Sequence, residues 1–282
     1  MPCLSTPTLK LLNSASLVGF SGGLRLYLAF LLAAIAPDLL LVLASALIIY
    51  ATYTLDRALD NKEDEINHLE YAGANRIAGL AASGVAILIG VSLFFSSSLF
   101  SPPVFPFAVG ILYSQGIPFK GRTIKLKGGF GVKNLVIGLT WGGTIGLVIL
   151  SSGQVLAGAV IALYFGLKLF INSTIFDLKD VKGDLAAGIY TLPVVLGETK
   201  LKYLLFSLCI VQHLILILAM CAHILVGYWI LLLYSFVASA AVIIFYAPAW
   251  ENSQSLAKRK FRIFVINGEP IILVLLSMIH PG

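Results

Sequence analysis

Charged side chains are scarce in this sequence. Aspartate, glutamate, lysine and arginine together supply 11% of the 282 residues, whereas a soluble domain carries about twice that fraction. Hydrophobic residues supply 59% of the chain, and its mean hydropathy is +0.97. This composition excludes an ordinary soluble domain. It indicates an integral membrane protein whose chain crosses the lipid bilayer several times.

Cysteine and histidine are also rare and scattered. Cys3, Cys209 and Cys221 are odd in number and show no metal-ligand spacing, and the four histidines are not clustered. A zinc site is therefore not indicated. The net charge of +6 does not indicate a nucleic-acid partner either, because the basic residues fall in short loops between apolar segments.

Nine apolar segments approach the roughly 20 residues that a membrane-spanning helix needs. They cover about residues 11–35, 37–55, 75–97, 103–117, 132–150, 155–176, 201–222, 225–247 and 261–279. We therefore predict an all-α integral membrane protein with nine transmembrane helices in a single domain over residues 1–282. Small residues such as Gly142, Gly143 and Gly166 would let the helices pack closely.

Lysine and arginine concentrate in alternate loops, after the second, fourth, sixth and eighth segments. The intervening loops at 96–103 and 151–154 carry neither residue. By the positive-inside rule, the basic loops face the cytoplasm.

Three carboxylates close the sixth segment, at Asp177, Asp180 and Asp184. The spacing of i, i+3 and i+7 places all three on one face of a helix. Like charges crowded on one face repel one another unless a cation lies between them. Clustered oxygen ligands without histidine or cysteine suit Mg2+, which keeps open positions for phosphate oxygens. The pattern predicts a magnesium and phosphate site.

A second acidic cluster follows the second segment, at Asp56, Asp60 and Asp64. The four-residue spacing keeps these carboxylates on one side of a continued helix, which Tyr53 shares. Both clusters follow even-numbered segments and so face the cytoplasm. Together they could hold Mg2+ around one diphosphate, whose negative charge must be neutralised when it leaves an allylic carbon. A plainer interpretation is that both clusters are solvated loops. An EF-hand is disfavoured, because glycine and glutamate are missing from the required loop positions after Asp60.

With both clusters identified, the chain resembles the UbiA-type intramembrane prenyltransferases over nearly its whole length. The second motif of that family matches at Asp180, Asp184, Gly188, Thr191, Leu192 and Pro193, and the first at Asp60, Asp64, Ile66 and Asn67. Residues 112–120 and 132–138 resemble the family's Tyr-Ser-x-x-x-Pro-x-Lys and Lys-Asn segments. Asp56 and Arg57 stand where the family commonly has Asn-Asp, which removes one expected ligand.

The resemblance implies nine helices around a central cavity with a cytoplasmic active-site cap. It also implies Mg2+-dependent transfer of a polyprenyl group from its diphosphate to a lipophilic acceptor of the quinone, tetrapyrrole or ether-lipid type. On this basis Asp60, Asp64, Asp180 and Asp184 are expected to bind Mg2+, with Asp177 and Asp56 assisting. The expected substrate contacts are Asp56, Arg57, Tyr53, Tyr113, Lys120, Arg122 and Lys179. Ser173 joins them because it lies four residues before Asp177 and seven before Asp180, in phase with both on the helix.

Three other classes stay open at this point. An isoprenoid cyclase could use the same scaffold. A CDP-alcohol phosphotransferase also binds Mg2+ with aspartates, although its Asp-Gly-x2-Ala-Arg motif is absent. A cation transporter would need acidic residues near mid-span rather than at helix ends.

Two basic residues fall inside apolar segments. Lys168 either contacts a substrate phosphate directly or points elsewhere. Because it lies half a turn out of phase with Asp177, the sequence favours a side chain that points away from the carboxylates. Arg25 either pairs with a substrate phosphate or snorkels to the membrane surface, and the sequence favours snorkelling. The oligomeric state is not indicated.

Overall fold

The computed structural model describes residues 6–59, 73–115, 117–119, 122–124, 130–178, 181, 185, 190–246 and 256–280, with side chains outside 110–124, 246 and 256–262. The helices in these ranges are α1 (Pro7–Asn13), α2 (Ser16–Leu32), α3 (Leu39–Leu59), α4 (Arg76–Ser96), α5 (Ser101–Gln115), α6 (Val132–Ser151), α7 (Val155–Asp177), α8 (Leu192–Cys221), α9 (Trp229–Tyr246) and α10 (Leu256–Ile279). A short hairpin pairs β1 (Ile117–Phe119) with β2 (Arg122–Ile124).

Several helices begin at a polar side chain that satisfies their first backbone N–H groups. The Thr6 hydroxyl accepts from the N–H of Leu9 at 3.3 Å, and Pro7 occupies the first turn of α1. The Asp38 carboxylate accepts from the N–H of Leu40 at 2.8 Å, and the Asn75 side chain caps α4. These residues set where α1, α3 and α4 begin, because they accept hydrogen bonds from backbone N–H groups that lack a partner within the helix.

Glycines bring α6 and α7 into close contact. A Cβ atom added at Gly142 would lie 2.5 Å from the backbone nitrogen of Gly166, and one added at Gly146 would lie 2.5 Å from Cβ of Ala162. Small residues at such an interface let two membrane helices approach backbone to backbone. The prediction of close packing at Gly142 and Gly166 is thereby confirmed. Gly143 instead faces the ring of Phe105 on α5.

Six helical stretches in the described part of the chain are long and apolar enough to cross a membrane. They are Pro7–Leu32, Leu39–Leu59, Arg76–Ser96, Val132–Ser151, Val155–Asp177 and Leu192–Cys221. The other three predicted spans coincide with α5, α9 and α10, which are helical but have shorter apolar stretches. The chain is thus a multi-pass membrane protein built almost wholly of helices, and nine crossings remain a prediction.

The structure corrects the sequence prediction at two places. The first predicted segment holds two helices, α1 and α2, with a break where the Ser14 hydroxyl donates to the Leu11 carbonyl at 2.5 Å. The fourth predicted segment ends at Gln115 and is followed by β1, so the fold is not purely helical. β-branched Ile117, Thr123 and Ile124 favour extended backbone there.

One end of the bundle, here called the mouth, gathers the C-terminal ends of α3 and α7 with the N-terminal ends of α4 and α6. Ala58 of α3 packs against Gly79 of α4, and Lys133 of α6 contacts Asp177 of α7. The Tyr53 ring of α3 stacks on the Trp141 ring of α6, with centroids 6.3 Å apart. This contact joins the α3–α4 pair of helices to the α6–α7 pair. The helix ends that carry Asp56 and Asp177 therefore lie at the same end of the molecule.

Candidate functional site at the mouth

Asp177 is the last residue of α7 and is almost wholly buried. Its Oδ1 accepts from Lys133 Nζ at 3.0 Å, and its Oδ2 accepts from Asn134 Nδ2 at 2.8 Å. The Lys133 side chain is 53% exposed, whereas that of Asp177 is 5% exposed. The buried Asp177 carboxylate thus holds the exposed Lys133 ammonium group at the mouth.

The two helix ends explain why these residues meet. A carboxylate at a helix C-terminus faces the negative end of the helix dipole, which disfavours its charge. α6 begins beside this end, and Lys133 and Asn134 in its first turn supply a cation and an amide donor. Asn134 also donates to Ser173 Oγ at 3.1 Å, and Ser173 in turn donates to the Phe170 carbonyl at 3.0 Å. Ser173, expected from its phase with Asp177, therefore belongs to the same hydrogen-bonded group.

The α3 side of the mouth carries Tyr53, Asp56 and Arg57. Arg57 Nη1 donates to Ser14 Oγ at 2.7 Å, so the guanidinium is held against the break between α1 and α2. Asp56 is exposed, and the Tyr53 ring lies on Trp141. The structure thus brings Tyr53, Asp56, Arg57, Ser173 and Asp177 to one end of the bundle.

Several predicted site residues lie outside the described residues: Asp60, Asp64, Lys120, Lys179, Asp180 and Asp184. Tyr113 and Arg122 are described only as backbone, in α5 and β2. Among the residues that are described, no group of three or more histidine, cysteine, aspartate or glutamate side chains could hold a metal. The described part of the site does fit Mg2+, because the exposed Asp56 supplies an oxygen ligand on the helix that leads into the first acidic cluster. Asp177 lies where α7 leads into the second cluster, and its two oxygens accept from Lys133 and Asn134.

A buried polar group that the sequence analysis missed lies deeper in the bundle, around Glu269 of α10. Lys168 Nζ of α7 donates to Glu269 Oε1 at 2.5 Å, and to Ser235 Oγ and Ser239 Oγ of α9 at 2.9 and 2.7 Å. Lys168 therefore points away from Asp177, as its phase on the helix predicted. The sequence did carry a signal for Glu269, because it is an acidic residue inside an apolar segment. Such residues are usually paired with another polar group.

Ser235 lies at the centre of this group. Its Oγ lies 2.8 Å from Tyr164 Oη, 3.3 Å from His213 Nε2 and 3.1 Å from Glu269 Oε1. The Tyr164 ring also packs edge-on against Phe165 and His213. Tyr164 is therefore packed inside the bundle, and the group joins four helices, α7 to α10.

Arg25 of α2 does not snorkel. It is only 5% exposed and lies among the helices of the bundle, where Glu269, Tyr53 and Tyr164 are near enough to interact electrostatically with it. The expectation from the sequence was wrong, because the neighbouring helices leave this side chain no path along the lipid surface.

Residues 16–268 match the model of the UbiA prenyltransferase family. The chain belongs to this family. It is also similar to a curated relative from Halobacterium salinarum, digeranylgeranylglyceryl phosphate synthase, at 31% identity over 144 residues. That match spans half of this chain and about half the length of the relative.

Solved structures share the fold over nearly the whole chain. A UbiA homologue from Archaeoglobus fulgidus bound to GPP and Mg2+ superposes with a TM-score of 0.69 at 11% identity, over 97% of this chain and 98% of that one. A UbiA homologue from Aeropyrum pernix K1 gives a TM-score of 0.59 at 17% identity, over 93% and 96% of the two chains. At these identities the likeness shows the fold alone.

Proposed function

We propose that this protein is a Mg2+-dependent prenyltransferase that moves a polyprenyl group from its diphosphate to a lipophilic acceptor. The observation that carries the proposal is the meeting of the two acidic helix ends, α3 and α7, at one mouth of a UbiA-type bundle. Membership of the family and the neighbour that binds GPP with Mg2+ support the same reaction.

Within this proposal Asp60, Asp64, Asp180 and Asp184 hold Mg2+, and Asp56 and Asp177 assist them. Bound Mg2+ would neutralise the negative charge that develops on the diphosphate as the allylic carbon ionises. Arg57, Lys120, Arg122 and Lys179 contact phosphate oxygens, because fixed cations at this position share the remaining charge.

Asp177 has a second role that follows from its contacts. It holds Lys133 and Asn134 in the first turn of α6, so the exposed lysine is presented at the mouth in one orientation. Ser173 supports Asn134 from the same helix as Asp177. Tyr53 and Tyr113 line the path of the prenyl group, where a ring face stabilises the allylic cation.

The proposal also includes the arrangement of the helices in the membrane. Residues 1–282 form one membrane domain of nine crossing helices around a central cavity, with a cytoplasmic cap that carries both motif loops. The acceptor is of the quinone, tetrapyrrole or ether-lipid type. The similarity to the Halobacterium salinarum relative makes an ether-lipid precursor the first one to assay.

The test is prenyl transfer by the purified protein from labelled geranylgeranyl diphosphate to a lipid extract of the cells that express it. We expect labelled lipid product with Mg2+, and none with excess EDTA. Asp60→Asn and Asp184→Asn should lose at least 100-fold in rate, whereas Asp38→Asn, which changes a helix cap at the other end of α3, should not. Transfer in EDTA, or full activity in both motif variants, would overturn the proposal.

A further inference from the structure

The start of α6 contacts both ends of the stretch of chain that joins α7 to α8. The contacts come from the α6 turn, defined here as residues 131–134. Asp177, the last residue of α7, accepts hydrogen bonds from two side chains of this turn. Leu192, the first residue of α8, packs on Gly131, the N-cap residue of α6. One short piece of backbone therefore holds the point where the stretch begins and the point where it ends.

The contact between Leu192 and Gly131 leaves no room for a side chain on the glycine. A Cβ atom added at Gly131 would lie 3.0 Å from both Cγ and Cδ1 of Leu192. Leu192 is only 4% exposed and belongs to the same hydrophobic cluster as Ile175 and Leu178, which flank Asp177 in the chain. Its side chain therefore links the α6 turn to the apolar packing around the end of α7.

The backbone of Gly131 also favours glycine. Its φ of 66° and ψ of 0° lie in the left-handed region, where a Cβ atom is sterically costly. In this conformation its carbonyl accepts from the N–H of Leu135 at 3.0 Å, at the start of α6. Both the start of the helix and the contact with Leu192 therefore depend on a residue without a side chain at this position.

Asp180 and Asp184 lie in the sequence between the two ends that the α6 turn holds. Fixing both ends of a chain segment restricts its conformations, which lowers the entropy lost when its side chains gather around a metal ion. From this we infer that Gly131 and Leu192 are positioning residues for the second acidic cluster. Neither touches the metal or the substrate. The inference rests on the proposed function, in which this cluster holds Mg2+, and it assigns a role to the leucine that follows the cluster.

A merely structural role for Leu192 predicts a different result. If Leu192 only fills the hydrophobic cluster, its truncation should lower stability and leave metal binding unchanged. Leu205 supplies the comparison, because it lies in the same cluster and the same helix and is fully buried. It is about three and a half turns further along α8, away from the α6 turn. Truncation of Leu205 therefore removes the same atoms from the same cluster without touching the proposed contact.

The experiment measures binding of geranylgeranyl thiolodiphosphate, an unreactive analogue, to the full-length protein in a neutral detergent. Calorimetry at a series of Mg2+ concentrations gives the concentration for half-maximal binding, here called the Mg2+ requirement. Leu192→Ala and Leu192→Met are compared with Leu205→Ala. Gly131→Ala is compared with Gly153→Ala, because Gly153 also has a positive φ, of 88°, but an added Cβ there meets nothing within 4 Å. Thermal unfolding curves establish that each variant is folded.

We expect Leu192→Ala and Gly131→Ala to raise the Mg2+ requirement about tenfold, as changes to groups that orient metal ligands do. Leu192→Met should stay near the wild type, because it preserves the volume that packs on the glycine. Leu205→Ala and Gly153→Ala should lower the melting temperature and leave the Mg2+ requirement unchanged. Gly131→Ala tests the contact from the other side if Leu192→Ala does not fold. An unchanged Mg2+ requirement in Gly131→Ala, or an equal rise in Leu205→Ala, would overturn the inference.

A further variant, Asp184→Asn, separates this inference from the proposed function. If Asp184→Asn leaves the Mg2+ requirement unchanged, the proposed metal site fails and the positioning role fails with it. If Asp184→Asn raises the requirement while Leu192→Ala and Gly131→Ala do not, the inference alone fails. If all three variants raise the requirement but the wild type transfers no prenyl group, the proposed function fails and the positioning role stands.

Discussion

Lys168 and Glu269 form an ion pair of 2.5 Å inside the bundle, joining α7 to α10 across 101 residues of sequence. Both side chains are almost fully buried, at 5% and 7% exposure. The lysine also bonds two serines of α9, so each of its three donors has a partner. Through this pair and its serine partners, polar contacts link α10 to α7 and α9.

Breaking the pair from one side should destabilise the protein strongly. Glu269→Leu leaves the lysine charge buried, and Lys168→Met leaves the carboxylate buried, so each should lower the free energy of unfolding by about 3–5 kcal/mol. The double variant should lose less than either single variant, because no lone charge remains. Unfolding in mixed micelles measures this, with Lys10→Met as an exposed control. Additive losses in the double variant would show that the pair is not coupled.

Substitutions at Asp177 and Lys133 can distinguish two roles of the Asp177 carboxylate: orienting Lys133, or binding the metal. If Asp177 acts by orienting Lys133, Asp177→Asn should raise KM for the prenyl diphosphate in the wild-type background and have almost no effect in a Lys133→Met background. If Asp177 is instead a metal ligand, the Mg2+ concentration for half-maximal rate should rise in both backgrounds. We expect the first pattern, because both carboxylate oxygens already accept hydrogen bonds. Initial rates at varied Mg2+ and diphosphate decide between them.

The α6–α7 interface should be sensitive to a single methyl group. Gly142→Ala places a Cβ within 2.5 Å of the Gly166 backbone, which cannot move aside as a side chain would. We expect a loss of about 1–3 kcal/mol in unfolding free energy, as for other overpacked interfaces. Gly84→Ala on α4 is the matched control, because a Cβ there meets nothing within 4 Å. Equal stability of the two variants would contradict the packing argument.

Hydropathy predicted the helices well because each apolar segment has to be long enough to cross the bilayer, whatever it packs against. The close approach at Gly142 was also predictable, since glycine on an apolar helix has few other uses. The hairpin at 117–124 was missed because three-residue strands leave almost no periodic signal.

Contacts between residues far apart in the chain could not be predicted from the sequence either. The ionisable residue Lys168 was visible as an anomaly in an apolar segment, but its partner Glu269 is set by how α7 and α10 pack. The same holds for Lys133, which lies 44 residues before Asp177. Arg25 was misjudged because a hydropathy pattern does not say whether a helix face meets lipid or protein.

The orientation of the mouth can be tested in cells. The distribution of lysine and arginine predicts that the motif loops face the cytoplasm. In a variant whose three cysteines are replaced, single cysteines at Asn61 and Glu198 should resist an impermeant maleimide added outside sealed cells. A cysteine at Ser152, exposed after α6 at the opposite end, should react. Labelling at Asn61 and Glu198 but not at Ser152 would reverse the assigned orientation.

Arg57 stands where related enzymes commonly have an aspartate, and its planar fork suits phosphate oxygens. One nitrogen of that fork, Nη1, donates to Ser14 Oγ at 2.7 Å, which holds the guanidinium at the mouth. Under a phosphate-binding role, Arg57→Lys keeps the charge but loses the fork. It should raise KM for the prenyl diphosphate about tenfold and leave KM for the acceptor nearly unchanged.

The alternative is that Arg57 pairs with Asp60 or Asp64 and tempers their repulsion. Its substitution by alanine should then alter the Mg2+ dependence rather than KM for the diphosphate. Ser14→Ala supplies the matched variant. It removes the hydrogen bond that Arg57 donates to Ser14 and leaves the charge and shape of the guanidinium unchanged. Under the phosphate-binding role Ser14→Ala should reproduce a smaller version of the Arg57→Lys effect, since a less ordered arginine still reaches the phosphate. If Arg57→Ala changes neither the diphosphate KM nor the Mg2+ dependence, both roles are wrong, and the arginine serves only to fasten α3 to the break before α2.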